Sequence, residues 1–254
     1  MGKFKNINVE NISLQKIKAI KRLHSKKFRN EEQLFIAEGV KIVQEIIDLV
    51  PDWIEWIVVT PNAPESLLNK INPQHYLLAK PDEMARVSSL STASLALAVV
   101  RIPKAKNIDS TKKTLVLDGI QDPGNLGTII RTADWFGIHQ IVCSENCAEL
   151  WNPKTIQASM GSFLRVNVHY CSLPTYLKSV STSILGTLLD GKSPDTIDWA
   201  KSQHVIMGSE GKGISDEVKP FISQTVTIPG FGGAESLNVG IATGIVLYEW
   251  SKSF

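Results

Sequence analysis

The sequence predicts an α/β protein whose second part holds a mostly parallel sheet. Three observations carry this. Short apolar, β-branched runs recur along the chain, each stopped by Gly, Pro or a polar cluster. Segments with apolar residues at helical spacing lie between them. The last quarter then pairs two glycine-punctuated loops with a final apolar helix.

In chain order, Phe35-Ile36-Ala37 reads as a strand entering Glu38-Gly39. Residues 40–50 read as a helix stopped by Pro51, and Trp56-Ile57-Val58-Val59 and Tyr76-Leu77-Leu78 as strands. A short helix begins at Pro81 with Asp82 as its expected cap, and residues 95–100 form a buried strand. Residues 101–113 turn polar, which predicts a domain boundary: 1–103, a linker at 104–113, and 114–254. The second part opens with a strand at 114–118, a loop at 119–127 and a helix at 128–136 ended by Gly137. Ile141-Val142-Cys143, Leu164-Arg165-Val166 and residues 183–187 are expected strands, with a helix at 153–159. Val205-Ile206-Met207 and residues 225–228 are two more, and Ser236 is the expected N-cap of a helix running to Trp250.

Composition excludes several classes. With 254 residues, 43% hydrophobic and 20% charged, the chain is long enough for a sizeable core. No apolar run reaches membrane-span length, and the basic N-terminus lacks an apolar h-region, so a cytoplasmic protein with no membrane partner is expected. Cys143, Cys147 and Cys171 lack metal-site spacing, so buried or idle thiols in a reducing compartment and no metal are expected. The net charge of +2 hides an asymmetry. Residues 1–30 carry nine basic residues (Lys3, Lys5, Lys16, Lys18, Lys21, Arg22, Lys26, Lys27 and Arg29) against Glu10 alone. Leu14, Ile17, Ala19, Ile20 and Leu23 give that stretch an apolar side, so it reads as a helix with one packed and one basic face. A basic segment beside a near-neutral body points to a polyanion, with a merely solvated face as the alternative.

Three motifs then carry a resemblance: DGIQDPGNLGTIIRTADWFG at 118–137, VIMGSEGKGI at 205–214 and IPGFGGAESLNVGIATGIVLYE at 228–249. In this order they resemble the SpoU (TrmH-type) RNA 2′-O-ribose methyltransferases of the SPOUT class. Residues 14–100 resemble that family's L30e-like substrate-binding domain more loosely, through Lys26-Lys27-Phe28-Arg29 and Ala37-Glu38-Gly39. Ser91-Thr92-Ala93-Ser94-Leu95 departs from the Pro-Gln-Gly that often closes the domain in relatives, and Gly240 replaces a small hydroxyl residue.

The resemblance implies a C-terminal domain with helices on both faces of its sheet and a deep trefoil knot that binds S-adenosyl-L-methionine. It implies a homodimer through that domain and RNA as the partner, ribosomal RNA favoured. Arg131, Asn125, Glu210, Ser236 and Asn238 match the catalytic set, with Glu210 expected to pair with or orient Arg131. Thr187, Gly208, Ile228, Leu237 and Asn238 would hold the cofactor, Gly208 by letting backbone approach the ligand. Lys26, Lys27, Arg29 and Arg131 would contact RNA. The alternatives are a transfer-RNA 2′-O-methyltransferase, a base methyltransferase of the same class, and a non-catalytic RNA-binding assembly factor.

Overall fold

The computed structural model describes residues 10–253. Lys3 and Lys5 of the basic stretch lie outside the described residues. The chain divides into two compact units. Residues up to Lys104 form one, together with Trp151–Gln157; Ala105–Leu150 and the residues from Ala158 onward form the other.

The first unit runs β1 (Glu10–Asn11), α1 (Leu14–Arg22), α2 (Lys26–Glu32), β2 (Leu34–Glu38), α3 (Val40–Leu49), β3 (Ile54–Val59), α4 (Glu65–Leu68), β4 (Tyr76–Leu78), α5 (Pro81–Val87) and β5 (Ala96–Arg101). Its sheet order is β1-β4-β3-β5-β2. The β1–β4 and β4–β3 pairs are parallel, while β5 runs antiparallel to both β3 and β2. Ile17, Ile20 and Leu23 pack onto Ile36, Val58, Leu77, Leu97 and Val99. The expected packed face of α1 is therefore there, but Leu14 is exposed.

Ser13 caps α1, and the basic stretch is broken after Arg22, so it forms two helices rather than one. Lys80, not Asp82, is the cap of α5. Glu38 serves the fold. Its buried carboxylate accepts from Ser88 Oγ at 2.6 Å, Ser89 N at 3.0 Å and Ser94 N at 3.1 Å. Those bonds satisfy a buried charge and fix the 88–94 loop. Trp151, expected in the second domain, belongs to the first unit, where its ring centroid lies 4.5 Å from that of Phe35.

The chain continues with β6 (Thr114–Asp118), α6 (Pro123–Trp135), β7 (Gln140–Cys143), α7 (Pro153–Ser159, of which residues 153–157 belong to the first unit), β8 (Asn167–Tyr170), α8 (Leu173–Lys178), β9 (Ser183–Lys192), β10 (Ser202–Gly208), β11 (Gln224–Val226) and α9 (Val239–Ser251). The sheet order is β11-β9-β10-β6-β7-β8, with every pair parallel. Val116, Val142 and Ile206 share one face with Leu173 and Leu177 of α8. Leu115, Leu117, Ile141 and Val205 alternate to the other face and are also buried, so both faces are covered. Trp250 closes α9 onto the sheet: it is fully buried and donates from Nε1 to Ser202 O at 3.1 Å.

Several boundaries differ from those the sequence predicts. The expected strand at Leu164-Arg165-Val166 begins in a 3₁₀ turn, and the strand is Asn167–Tyr170. Helix α8 has no counterpart among the expected elements, because Pro174 and its short length mask the pattern. Strand β9 extends beyond Thr187 to Lys192, and β11 stops at Val226. The expected loop at 119–127 is half helix: α6 starts at Pro123, capped by Asp122, whose Oδ1 accepts from Asn125 N at 2.8 Å. Proline at the first helical turn has no donor to waste there and is preset in φ. Gly137 does end α6, with φ of 74°, and the bonds Ile138 N to Ala133 O (2.8 Å) and Gly137 N to Asp134 O (3.1 Å) make a Schellman motif.

Candidate active site

Strand order places the site. From β6 the chain adds β7 and β8 on one side, while β10, β9 and β11 lie on the other. The order reverses between β6 and β10, and crevices at the carboxyl ends of such strands are where parallel α/β sheets bind ligands. Asp118 ends β6 and Gly208 ends β10, and the two are paired in register. Thr187 lies on β9 and donates its hydroxyl to Ile206 O of β10 at 3.0 Å. Ile228 lies just past β11, where Thr227 N bonds Lys192 O at 2.9 Å.

Each motif contributes one polar side chain to a common network. Asn125 sits in the first turn of α6, held by the Asp122 cap. Glu210 sits in the turn after β10, closed by Ser209 N to Gly213 O at 3.1 Å and Gly213 N to Ser209 O at 2.8 Å. Asn238 is the N-cap of α9, its Oδ1 accepting from Gly240 N at 2.9 Å and Ile241 N at 3.3 Å. Ser236, the expected cap, stays in the exposed loop two residues earlier and is not part of the network. Asn125 Nδ2 donates to Glu210 Oε1. Asn238 Nδ2 donates to Asn125 Oδ1 at 3.0 Å and to the same Glu210 oxygen at 3.3 Å.

Arg131 lies six residues beyond Asn125 on α6, about 9 Å along the axis. It is exposed, and among the described residues it makes no hydrogen bond or ion pair. The expected Arg131–Glu210 pair is therefore absent from this network: Glu210 is taken by the two asparagines.

Gly208 also has a reason within the fold itself. A Cβ there would come 2.2 Å from Gly213 C and 2.3 Å from Ile214 N. The glycine lets the Glu210 turn fold back onto its own strand.

The residues fit an adenosine-type cofactor. Leu237 is 46% exposed and Ile228 half-buried, which supplies apolar surface for a flat base. Among the described residues, no backbone N–H from Gly230 to Leu237 bonds a backbone carbonyl, so this loop offers open donors beside that surface.

What pins the first loop is invisible in the sequence. Ser144 Oγ accepts from Gly119 N at 2.8 Å, and Cys147 Sγ accepts from Ile120 N at 3.2 Å. Cys147 is thus not an idle thiol. Its pKa is lowered to about 6, mainly by the hydrogen bond with the Cys143 side chain and then those from Ser144 and the loop amides. Burial holds the Cys143 thiol well above its ordinary value. No sequence signal marks Ser144 or Cys147, because their role depends on β7 lying beside β6.

Arg29 is corrected as an RNA contact. It is 1% exposed, and its Nη1 donates to Leu23 O and His24 O, both at 2.9 Å. Its guanidinium ties α1 to α2. Lys26 and Lys27 remain exposed, with Lys27 only 3.9 Å from Glu31. Among the described residues, no helix is long and apolar enough to cross a membrane and no cluster of His, Cys, Asp and Glu suits a metal.

A parallel α/β unit with polar side chains gathered at the carboxyl ends of its strands defines a ligand-binding enzyme class, and comparison with known proteins specifies it. The SpoU rRNA Methylase family matches residues 112–248, and the MRM3-like substrate binding domain matches residues 15–98. The chain is 34% identical over 247 residues to the 23S rRNA (guanosine(2553)-2′-O)-methyltransferase RlmP of Bacillus subtilis, covering 95% of this chain and 98% of the relative. A TrmH-family structure from Porphyromonas gingivalis superposes with a TM-score of 0.81 at 35% identity, covering 94% of this chain and 98% of that one. An AdoMet-bound rRNA methyltransferase structure from Sinorhizobium meliloti gives a TM-score of 0.82 at 28% identity, covering 96% and 98%. The chain belongs to the SpoU RNA methyltransferase family.

Proposed function

We propose that the protein transfers a methyl group from S-adenosyl-L-methionine to a ribose 2′-hydroxyl of structured RNA, and that the RNA is ribosomal. The observation that carries this reading is the Asn125–Glu210–Asn238 network, which joins the three motifs, with Arg131 exposed on the same helix as Asn125. Similarity to RlmP over nearly the whole of both chains favours ribosomal over transfer RNA.

When bound, the cofactor supplies an electrophilic methyl group on a sulfonium. The protein then has to supply alignment and charge. Arg131 binds the 2′-oxygen and the neighbouring phosphate, since a guanidinium is a fixed fork of hydrogen-bond donors and a poor base. The methyl group would leave the bound cofactor, which keeps the C–S electron pair as a neutral thioether, while the 2′-hydroxyl proton would pass to solvent water and Arg131 would stabilise the charge on the 2′-oxygen. Asn125 and Asn238, fixed by Glu210, hold the first turn of α6 against the start of α9. Alignment of this kind supplies several kcal/mol of barrier reduction, up to about 10. Thr187, Gly208, Ile228, Leu237 and Asn238 surround the cofactor in this proposal, with Ser236 at its rim.

The proposal includes the family's trefoil knot, a rare topology, as the arrangement that gathers the loops after β10 and β11. It also includes a homodimer in the cytoplasm. On α9, Ile241, Ile245 and Tyr248 are 58%, 37% and 52% exposed at helical spacing, and Trp135 at the end of α6 is 83% exposed. These side chains, and not the buried Trp250, are the contact surface we assign. In this proposal residues 1–103 are the substrate-binding domain, 104–113 the linker and 114–254, apart from Trp151–Gln157, the methyltransferase domain, with Lys26 and Lys27 on RNA phosphates.

Mapping ribose and base methylation across all cellular RNA in a deletion strain and its parent tests the proposal. One ribosomal 2′-O-methyl group should vanish. Loss at a transfer-RNA position, loss of a base methyl, or no loss at all would select the transfer-RNA enzyme, the base methyltransferase or the assembly factor instead.

A further inference from the structure

We infer that Asp118 is a positioning residue for methyl transfer, acting through Glu210. The inference rests on the 2′-O-methyl-transfer reading above. Asp118 is the last residue of β6, and its side chain lies at the strand end that faces the site. It is only 6% exposed, yet it stands outside the hydrogen bonds that join Asn125, Glu210 and Asn238. Its Oδ2 instead accepts the backbone N–H of Ser215 at 2.7 Å.

Ser215 is the far end of the segment that carries Glu210. The near end is fixed by β10, whose Gly208 pairs in register with Asp118 itself. Between them, the Ser209–Gly213 turn is closed by two backbone bonds, and Gly208 lies so close to Gly213 and Ile214 that a Cβ has no room. Ile214 is buried, and Ser215 O receives Val218 N and Lys219 N, both at 3.0 Å. One carboxylate thus fastens both the Glu210 turn and the turn after it to β6. A glutamate on a turn free to move otherwise samples many backbone and side-chain states, and ordering it costs conformational entropy. With its backbone clamped, Glu210 meets Asn125 and Asn238 without that search. A charge-assisted bond from a carboxylate to a backbone N–H is stronger than a neutral one, which suits a clamp.

The role separates from simple stability by a double-mutant cycle with hydrogen exchange beside it. The assay uses the full chain, S-adenosyl-L-methionine and ribosomal RNA from a strain lacking the gene. Asp118→Ala should lower kcat on the order of tenfold or more, because small misplacements at a reacting centre are costly. Asp118→Asn keeps an acceptor and should restore most of the rate. In a Glu210→Gln background, Asp118→Ala should cost less than about twofold, since residues acting as one unit are not additive. Exchange across 208–216 should quicken in Asp118→Ala and not in Asp118→Asn, with or without RNA. Should Asp118→Ala not fold, Asp118→Ser keeps a polar group without the reach and runs the same cycle. Equal losses in both backgrounds, or unchanged exchange across 208–216, would overturn the inference. A parent chain that transfers no methyl group overturns the function reading instead, and exchange then decides the clamp alone.

Discussion

Asn238 donates its side-chain N–H to the side-chain Oδ1 of Asn125 at 3.0 Å, across 113 residues of chain. The same Asn238 caps α9 through its own carbonyl oxygen. One side chain therefore serves folding with its acceptor and the site with its donor.

That division predicts a split between two substitutions. Asn238→Asp keeps the acceptor and places a negative charge at a helix N-terminus, where it is favourable. Stability should stay within about 1 kcal/mol of the parent. Activity should fall on the order of a hundredfold, because the donor is lost and a second carboxylate faces Glu210. Asn238→Ala should lose activity and about 1 kcal/mol of stability together. Denaturant titrations beside turnover assays separate the two, and full activity in Asn238→Asp would remove the network from the mechanism.

Gly208→Ala places a Cβ 2.2 Å from the Gly213 carbonyl carbon. Backbone has to move, at about 1–3 kcal/mol for overpacking of this kind. The Glu210 turn moves with it, so calorimetry should show S-adenosyl-L-methionine binding weakened as well. Unchanged stability and affinity would mean the turn has slack that the close approach denies.

Arg29 and its neighbours Lys26 and Lys27 should behave oppositely. Arg29→Ala leaves the Leu23 and His24 carbonyls without their guanidinium donor in a buried place, which should cost about 3 kcal/mol or more. Lys26→Ala with Lys27→Ala should leave the melting temperature nearly unchanged. It should weaken RNA binding and flatten its salt dependence by about one unit of slope for each phosphate no longer neutralised. A salt titration of the double variant that overlays the parent would make both lysines a solvated face.

His204 sets an acid limit on stability. It is buried in β10, with Tyr176 Oη 2.9 Å from Nε2 and Thr182 Oγ1 3.2 Å from Nδ1. Burial pushes its pKa down to about 4. The unfolded chain takes up this proton near the ordinary value of about 6.5, before the folded chain does. Stability is therefore fully present above that value and is lost as pH falls from it towards 4, by about 3 kcal/mol at most. The stability advantage of the parent over His204→Gln, measured by urea titration at pH 7.5 and pH 5, should shrink at the lower pH. An advantage that is the same at both would show that His204 titrates normally in the fold.

The strands and the three motifs are legible in the sequence because both depend on local pattern. Apolar runs such as Leu115 to Leu117 and Val205 to Met207 end where Gly or a polar residue stops them. What stays hidden needs partners distant in the chain. Glu210 is expected beside Arg131, yet two asparagines satisfy it, one from α6 and one from α9. Ser236 and Asn238 are both good cap residues two positions apart, and only the geometry of the first turn selects Asn238. Arg29 sits in a lysine-rich run that reads as one charged face, yet the break between α1 and α2 turns it inward. Cys147 reaches the first motif only because β7 lies beside β6.

Methyl transfer itself, with the parent and Arg131→Ala side by side, tests the central claim most directly. Ribosomal RNA from a deletion strain is incubated with methyl-labelled S-adenosyl-L-methionine, digested to nucleosides and analysed by mass spectrometry. The parent should give a single labelled 2′-O-methylnucleoside. Arg131→Ala should give no label, although calorimetry shows that variant binding the cofactor as the parent does. Label on a base, or equal labelling by Arg131→Ala, would contradict the proposed chemistry.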